Sequence, residues 1–372
     1  MPGLVRQRIS RRHFSGRAHL IIALADHFEP AIVPGDGQKR APQSVQEQRV
    51  ERWCKEYPAL AHEWRDNDGR PFKHTYFYPA EQFNRALVDQ LAAHCREGWG
   101  DIEVHLHHGL DAPDTPENTR RVIAEFRDEL EKRGNVCYLD GTGPARYAFV
   151  HGNFALANSA GGRMCGVDSE LQILAETGCY ADLTLPAAAF DDAQISKTNS
   201  LYECSLPLDR RAVHSTGIDL AVGRSPRLPL MVQGPLMLTR SSVRFRIENG
   251  ALVGANPPTL RRLQFWKQAA ISVKGRPDWI FIKLHCHSMD PTHEPATSGD
   301  GMRSFLSELV EGASARNEVL HFTSAREMVN IVLAACDGRE GNPGDFRDYR
   351  LKRVREGRTS QPSTNFESLA KV

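Results

Sequence analysis

A β/α barrel carrying one inserted elaboration is the fold that this 372-residue sequence predicts. Three observations lead there. Strand and helix patterns alternate along most of the chain, which favours parallel strands joined through helices. Several short apolar runs end in polar, histidine-rich tips, as strands do at the mouth of such a barrel. The length suits one large barrel of seven or eight strands, possible even where the closure is distorted.

The elements follow in order. Residues 19–25 form an apolar strand that ends in Asp26-His27-Phe28-Glu29-Pro30, where Pro30 cannot donate to a ladder. Residues 31–43 are a loop. Residues 44–66 read as a helix with Val45, Trp53, Leu60 and Trp64 among its apolar positions. A second strand spans 74–78, and a helix over 80–97 lines up Phe83, Leu87, Val88 and Leu91. A third strand covers 102–107. The 115–132 segment is strongly amphipathic, with Pro116 suited to a first helical turn. Then come a strand at 145–150, a helix at 167–177 stopped by Gly178, and a strand at 180–185 ended by Pro186.

Residues 190–260 break the rhythm. They are polar and proline-rich, carry a hairpin-like 246–251 stretch with an Asn-Gly turn, and contain one core strand near 230–233. The alternation resumes with a helix at 258–273, a strand at 279–284, a helix at 301–310 and a strand at 319–322. Ser324 and Glu327 then form a capping box. The expected domain limits are an N-terminal extension over 1–17, the barrel over 18–336 with its elaboration at about 190–260, and a polar, disordered tail over 337–372.

Composition narrows the function classes. A net charge of +1 gives no case for a nucleic-acid or membrane-surface partner. No apolar run is long enough to span a bilayer, and the basic first residues lack the apolar segment of a signal peptide. The eight cysteines form no Cys-x-x-Cys pair, which points to reduced thiols and a cytoplasmic location. The oligomeric state is not encoded in any of these features.

Histidines carry the chemical signal. Alternate residues of a strand share one face, so His105 and His107 point together, as do Lys283, His285 and His287. Asp26 and His27 stand at a third strand tip. Imidazoles with one carboxylate suit zinc or a related divalent ion. Polar lining of a solvated barrel mouth is the plainer account of the same pattern. His151-Gly152-Asn153 ends another strand; Gly152 allows close backbone approach, and Asn153 can donate to a sugar or carbonyl oxygen. Asp182 either orients a catalytic histidine or caps a loop. Cys286 alternates with two histidines and faces away from them, as a buried thiol.

This order of motifs resembles the polysaccharide-deacetylase superfamily over roughly residues 18–335. In that family the first strand ends in two aspartates, one a general base and the next a metal ligand. Asp26 matches the first, and His27 stands in place of the second. The family's histidine pair resembles His105-Leu106-His107-His108, although the residue four beyond His107 is Asp111. Its last motif, which ends in a general-acid histidine, resembles 282–287. The resemblance implies metal-assisted hydrolysis of an amide or ester on a saccharide. His105, His107 and either His27 or Asp26 would hold the metal; Asp26, where it is not a ligand, would be the base and His285 or His287 the acid; and His108, His151, Asn153 and Asp182 would meet substrate. Two other readings stay open: an amidohydrolase or phosphoesterase metal barrel, and a degenerate barrel that binds glycan without turnover.

Overall fold

The computed structural model describes residues 16–36, 39–188, 191–240 and 245–353. Its strands are β1 (Ala18–His27), β2 (His74–Pro79), β3 (Gly100–Leu106), β4 (Cys137–Leu139), β5 (Thr142–His151), β6 (Cys179–Asp182), β7 (Leu201–Cys204), β8 (Gly217–Asp219), β9 (Leu230–Val232), β10 (Met237–Arg240), β11 (Phe245–Glu248), β12 (Ala251–Leu252), β13 (Trp279–Cys286), β14 (Glu318–Thr323) and β15 (Leu351–Arg353). The helices are α1 (Gln43–Glu63), α2 (Arg85–Arg96), α3 (Pro116–Lys132), α4 (Glu170–Thr177), α5 (Leu260–Gln268), α6 (Glu294–Thr297), α7 (Asp300–Gly312) and α8 (Ala325–Cys336).

The main sheet runs β12-β13-β1-β2-β3-β5-β6-β9-β7-β8 and is mostly parallel. β1 is its centre. β13 pairs along residues 19–26 of β1, while β14 pairs with residues 18–23 and β2 with residues 24–27. The sheet curls into a half-barrel. Among the described residues no ladder joins β9 to β13, and the half-barrel is compatible with the β/α barrel of distorted closure that the sequence predicts. Across the curl, Lys283 Nζ of β13 donates at 2.8 Å to the carbonyl of Leu183, just past β6.

Pleating divides the core in two. Leu20, Ile22 and Leu24 of β1 join Tyr76, Ile102, Val104 and Leu106 in a cluster shared with α1, α2 and α3. Ile21, Ala23 and Ala25 join Phe77, Val150 and Phe281 in a second, inner cluster. Helix α8 belongs to that inner cluster and is buried along all of its residues. It takes Arg326, Glu327 and Asn330 into the interior along with its apolar residues. The Ser324/Glu327 capping box holds its first turn, as the sequence predicts. Helix α3 starts on Pro116 behind the Thr115 cap, also as predicted. Among the described residues no helix is long and apolar enough to cross a membrane.

Two expectations are corrected. The tail is ordered through residue 353: β15 pairs antiparallel with β4, and Arg347 is buried against Asp66 and Asp68. Its polar side chains find fixed partners on the barrel, and composition alone cannot show that. Residues 354–372 of the predicted tail, and 1–15 of the predicted extension, lie outside the described residues. The Asn249-Gly250 pair is not a hairpin turn either. β11 pairs backwards with β10, and Gly250 instead leads into β12, which joins β13 in parallel.

Candidate metal centre

Strand parity sorts the histidines between the two faces. Residues 21, 23 and 25 of β1 face inward, so His27 does too, and Glu29 returns to the same side two residues later. On β3 the inward set is Glu103 and His105, and His107 follows just past the strand end. On β13 Trp279 and Phe281 are inward, which places Lys283 and His285 inward and His287 beyond them. The segments lie side by side because β13, β1, β2 and β3 are consecutive in the sheet.

The inward groups converge. The His27 ring centre lies 4.8 Å from that of His105 and 4.7 Å from that of His287. His105 and His107 rings are 4.6 Å apart. Ligand-type atoms of His27, Glu29 and His287 lie within 4.8 Å of one another, and so do those of Glu29, His105 and His107. Glu29 is common to both groups. A cleft of about 810 Å³ opens above them, with Glu29, Glu81, His107, Asn153, His287 and Asp290 in its lining.

Hydrogen positions give this geometry a chemical meaning. His105 Nδ1 faces the Val150 carbonyl at 3.0 Å and must donate to it. A neutral ring then turns a lone pair on Nε2 toward Glu29 Oε1, only 2.9 Å away. His107 repeats the arrangement: Nδ1 faces Glu81 Oε1 at 2.9 Å, and Nε2 lies 3.4 Å from Glu29 Oε1. Lone pairs this close need a cation between them. The Nδ1 of His27 is buried with no hydrogen-bond partner among the described residues.

Electrostatics separates these imidazoles into two kinds. Burial lowers the His105 pKa, although Glu29 works against it. Burial also pushes His27 well below the usual imidazole range, with His287 and His105 adding to the effect. Burial would raise Glu29, yet its contacts with His105 and His107 outweigh this and hold it well below the usual carboxylate range. His107 is lifted to about 10 against the effect of burial by Glu29 and Glu81. His27 and His105 are thus held neutral beside an ionised carboxylate, as in divalent transition-metal sites, whereas an ion at His107 would displace the proton that Glu29 and Glu81 favour there. These groups could hold a metal ion.

The residues around the centre fix its shape. A Cβ on Gly152 would lie 2.2 Å from the His107 ring, so only glycine lets the backbone pass there. Asn153 lines the cleft, and its Oδ1 is buried without a partner among the described residues. His285 is one ring deeper, 6.2 Å from His27 between ring centres. Burial and the Lys283 charge push its pKa well down. Glu81 orients His107 from outside the group. Glu81→Gln should therefore weaken ion binding by about 10–100-fold, as read by competition with a chromophoric chelator.

Several predicted site residues lie elsewhere. Asp26 follows Leu20, Ile22 and Leu24 to the outer face. There its carboxylate contacts His74 Nδ1 at 3.0 Å and accepts from the Ser288 amide at 2.9 Å and from the Ser288 hydroxyl. It cannot serve as base or ligand in the cleft. Cys286 is buried beside it, on the side away from His285 and His287, as expected. His108 and His151 are likewise outward, and they gather with Cys165 and Glu170 in a separate buried group. Asp182 accepts from Thr184, through its amide at 3.1 Å and its hydroxyl at 2.7 Å. Burial raises the Asp182 pKa to about 7 and lowers that of Lys283 to about 7. Asp182 thus caps its loop, one of the three roles expected of it.

Glu29 and Glu81 were not anticipated. Parity counted from Ile21 would have found Glu29. Nothing in the sequence marks Glu81, which reaches His107 from a short 3₁₀ turn after β2. No known family model matches the chain, and no curated protein does so either.

Proposed function

We propose that the chain is a divalent-metal-dependent hydrolase that cleaves an amide or ester, of the deacetylase type, on a saccharide. The observation that carries this reading is the meeting of His27, Glu29, His105, His107 and His287 below one cleft. A bound ion, with zinc the expected one, would polarise the scissile carbonyl and acidify water.

The chain's own residues divide the remaining work. His27, Glu29, His105 and His107 would hold the ion. The Val150 carbonyl and Glu81 set the tautomers of His105 and His107. His287 faces the cleft and passes the proton to the leaving group. Asn153 brings an unpaired amide oxygen to the same wall, suited to a substrate N–H or hydroxyl. Asp36, Lys39, Arg40 and Asp290 make the rim polar, which suits a hydroxylated substrate better than an apolar one.

Acetate release from N- and O-acetylated oligosaccharides tests the proposal. Turnover should stop with a chelator, return with added divalent ion, and be absent in the His105→Ala/His107→Ala variant. Full activity in that variant would overturn the assignment.

A second reading rests on Glu29 being common to both groups. A carboxylate between two ligand sets can bridge two ions, as in phosphoesterase and amidohydrolase barrels. Phosphate-ester hydrolysis without acetate release would favour it.

A further inference from the structure

We infer that a second divalent ion, of the zinc type, is held on the outer face of the sheet by His108, His151, Cys165 and Glu170, where it pins the 152–169 loop against the barrel. This site is distinct from the cleft and does not rest on the hydrolase reading.

All four residues are buried, and their ligand-type atoms lie within 4.8 Å of one another. They come from separate parts of the chain. His108 follows β3, His151 ends β5, Cys165 lies in the loop, and Glu170 opens α4. His108 Nε2 is 3.1 Å from His151 Nε2 and 3.0 Å from Glu170 Oε1. His151 Nε2 is 3.9 Å from that same oxygen, and Cys165 Sγ is 3.6 Å from Glu170 Oε2. A tetrahedral zinc ion with ordinary bond lengths spaces its ligand atoms by roughly 3.3–3.7 Å, so these separations surround an ion with little adjustment.

The hydrogen bonds around the group argue the same way. Asp114 Oδ2 lies 2.9 Å from His108 Nδ1 and also accepts from the Thr119 hydroxyl at 2.8 Å. His108 therefore donates outward through Nδ1 and turns Nε2 inward, the arrangement usual for a metal-bound histidine. The Asn153 amide faces His151 Nδ1 at 3.2 Å. If His108 Nε2 is bare it faces an ionised oxygen and a second imidazole nitrogen, so a positive centre belongs among them. A cation among Nε2, Nε2, Oε1 and Sγ meets these inner contacts together and, unlike a single proton, also takes in Cys165 Sγ. It leaves the ring proton of His151 on Nδ1, so the Asn153 amide then turns away.

The place of the site suggests its purpose. Two imidazoles, a thiolate and a carboxylate form a closed set with no open position, as structural zinc ions have. The loop between the ligands carries left-handed backbone at Phe154, Ala157, Asn158 and Met164, which costs energy for side-chain-bearing residues. Gly152, Asn153 and Met164 of this loop line the cleft. An ion at its two ends would hold that wall in place.

Cobalt(II) loading of the full chain tests the inference, because the cleft group contains no thiol. A sulfur-to-cobalt charge-transfer band is expected in the near ultraviolet. The band should persist in His105→Ala/His107→Ala and in Cys286→Ser, which removes the thiol beside Asp26. It should vanish in Cys165→Ser, which should also lose about one ion per chain by elemental analysis. A Cys165→Ser chain that keeps its full metal content overturns the inference. So does a wild-type chain that takes up cobalt without the band, or takes up none. Should Cys165→Ser fail to fold, the band in Cys286→Ser decides the matter, since it removes the other thiol grouped with a histidine and a carboxylate.

Discussion

Glu29→Gln is expected to strip the cleft of its ion while leaving the fold intact. The change keeps the shape of the side chain and removes the charge that His105 and His107 face at 2.9 and 3.4 Å. An amide can also donate to those Nε2 lone pairs, which satisfies them without a metal. Loss of an outer partner alone weakens ion binding by 10–100-fold, so loss of this shared carboxylate should cost more than about 100-fold. Added divalent ion should raise the unfolding temperature of the wild type, because it binds only the folded chain. The variant should show little of that rise. A variant that still purifies with a stoichiometric ion in the cleft would remove Glu29 from the ligand set.

Arg347→Ala should give the largest loss of stability. Arg347 is buried, with Nη2 2.7 Å from Asp66 Oδ2 and Nη1 2.7 Å from Asp68 Oδ2. Asp66 also accepts from the amides of Asp68, Arg70 and Phe322, so its carboxylate cannot move to water. Removing one member of a buried pair typically costs about 3–5 kcal/mol. Urea unfolding should show a lower midpoint of that order.

The same change should alter the response to acid. Burial would raise the Asp68 pKa, but hydrogen bonds from Asn342, Arg347 and His321 outweigh it and bring the value from 3.8 to about 2. A carboxyl depressed in the folded state adds stability at higher pH and loses it as acid protonates the group. For Asp68 that stability is present above about pH 4 and disappears as the pH falls through 2. Without Arg347 the depression shrinks, and this part of the acid dependence should flatten.

The chain's periodicity made much of this architecture readable. The apolar runs at β1, β2, β3, β5, β13 and β14 are long enough, or alternate clearly enough, to declare themselves. The short strands did not. β7, β8 and β12 run two to four residues and are held by neighbours distant in sequence, so no local pattern announces them. The candidate site shows the same division. His105 and His107 were found because two imidazoles on one strand face are conspicuous. His27 was found beside them, but Asp26 was placed with it because both stand at one strand tip and the motif resemblance agreed, against the parity that Leu20, Ile22 and Leu24 impose. His108 and His151 were seen as polar strand ends without a side. They lie on the outer face, His151 with Tyr147 and Phe149 and His108 with Leu106. Cys165 and Glu170 join them only through tertiary packing.

Helix α8 has a consequence for the inside of the molecule. It packs with Ile21, Ala23 and Phe281 in the inner cluster, and it carries Arg326 and Asn330 into that interior. Both reach the backbone of the C-terminal segment, at the Arg347 and Leu351 carbonyls. Trimming the chain before Arg347 would leave a buried guanidinium and a buried amide without those acceptors.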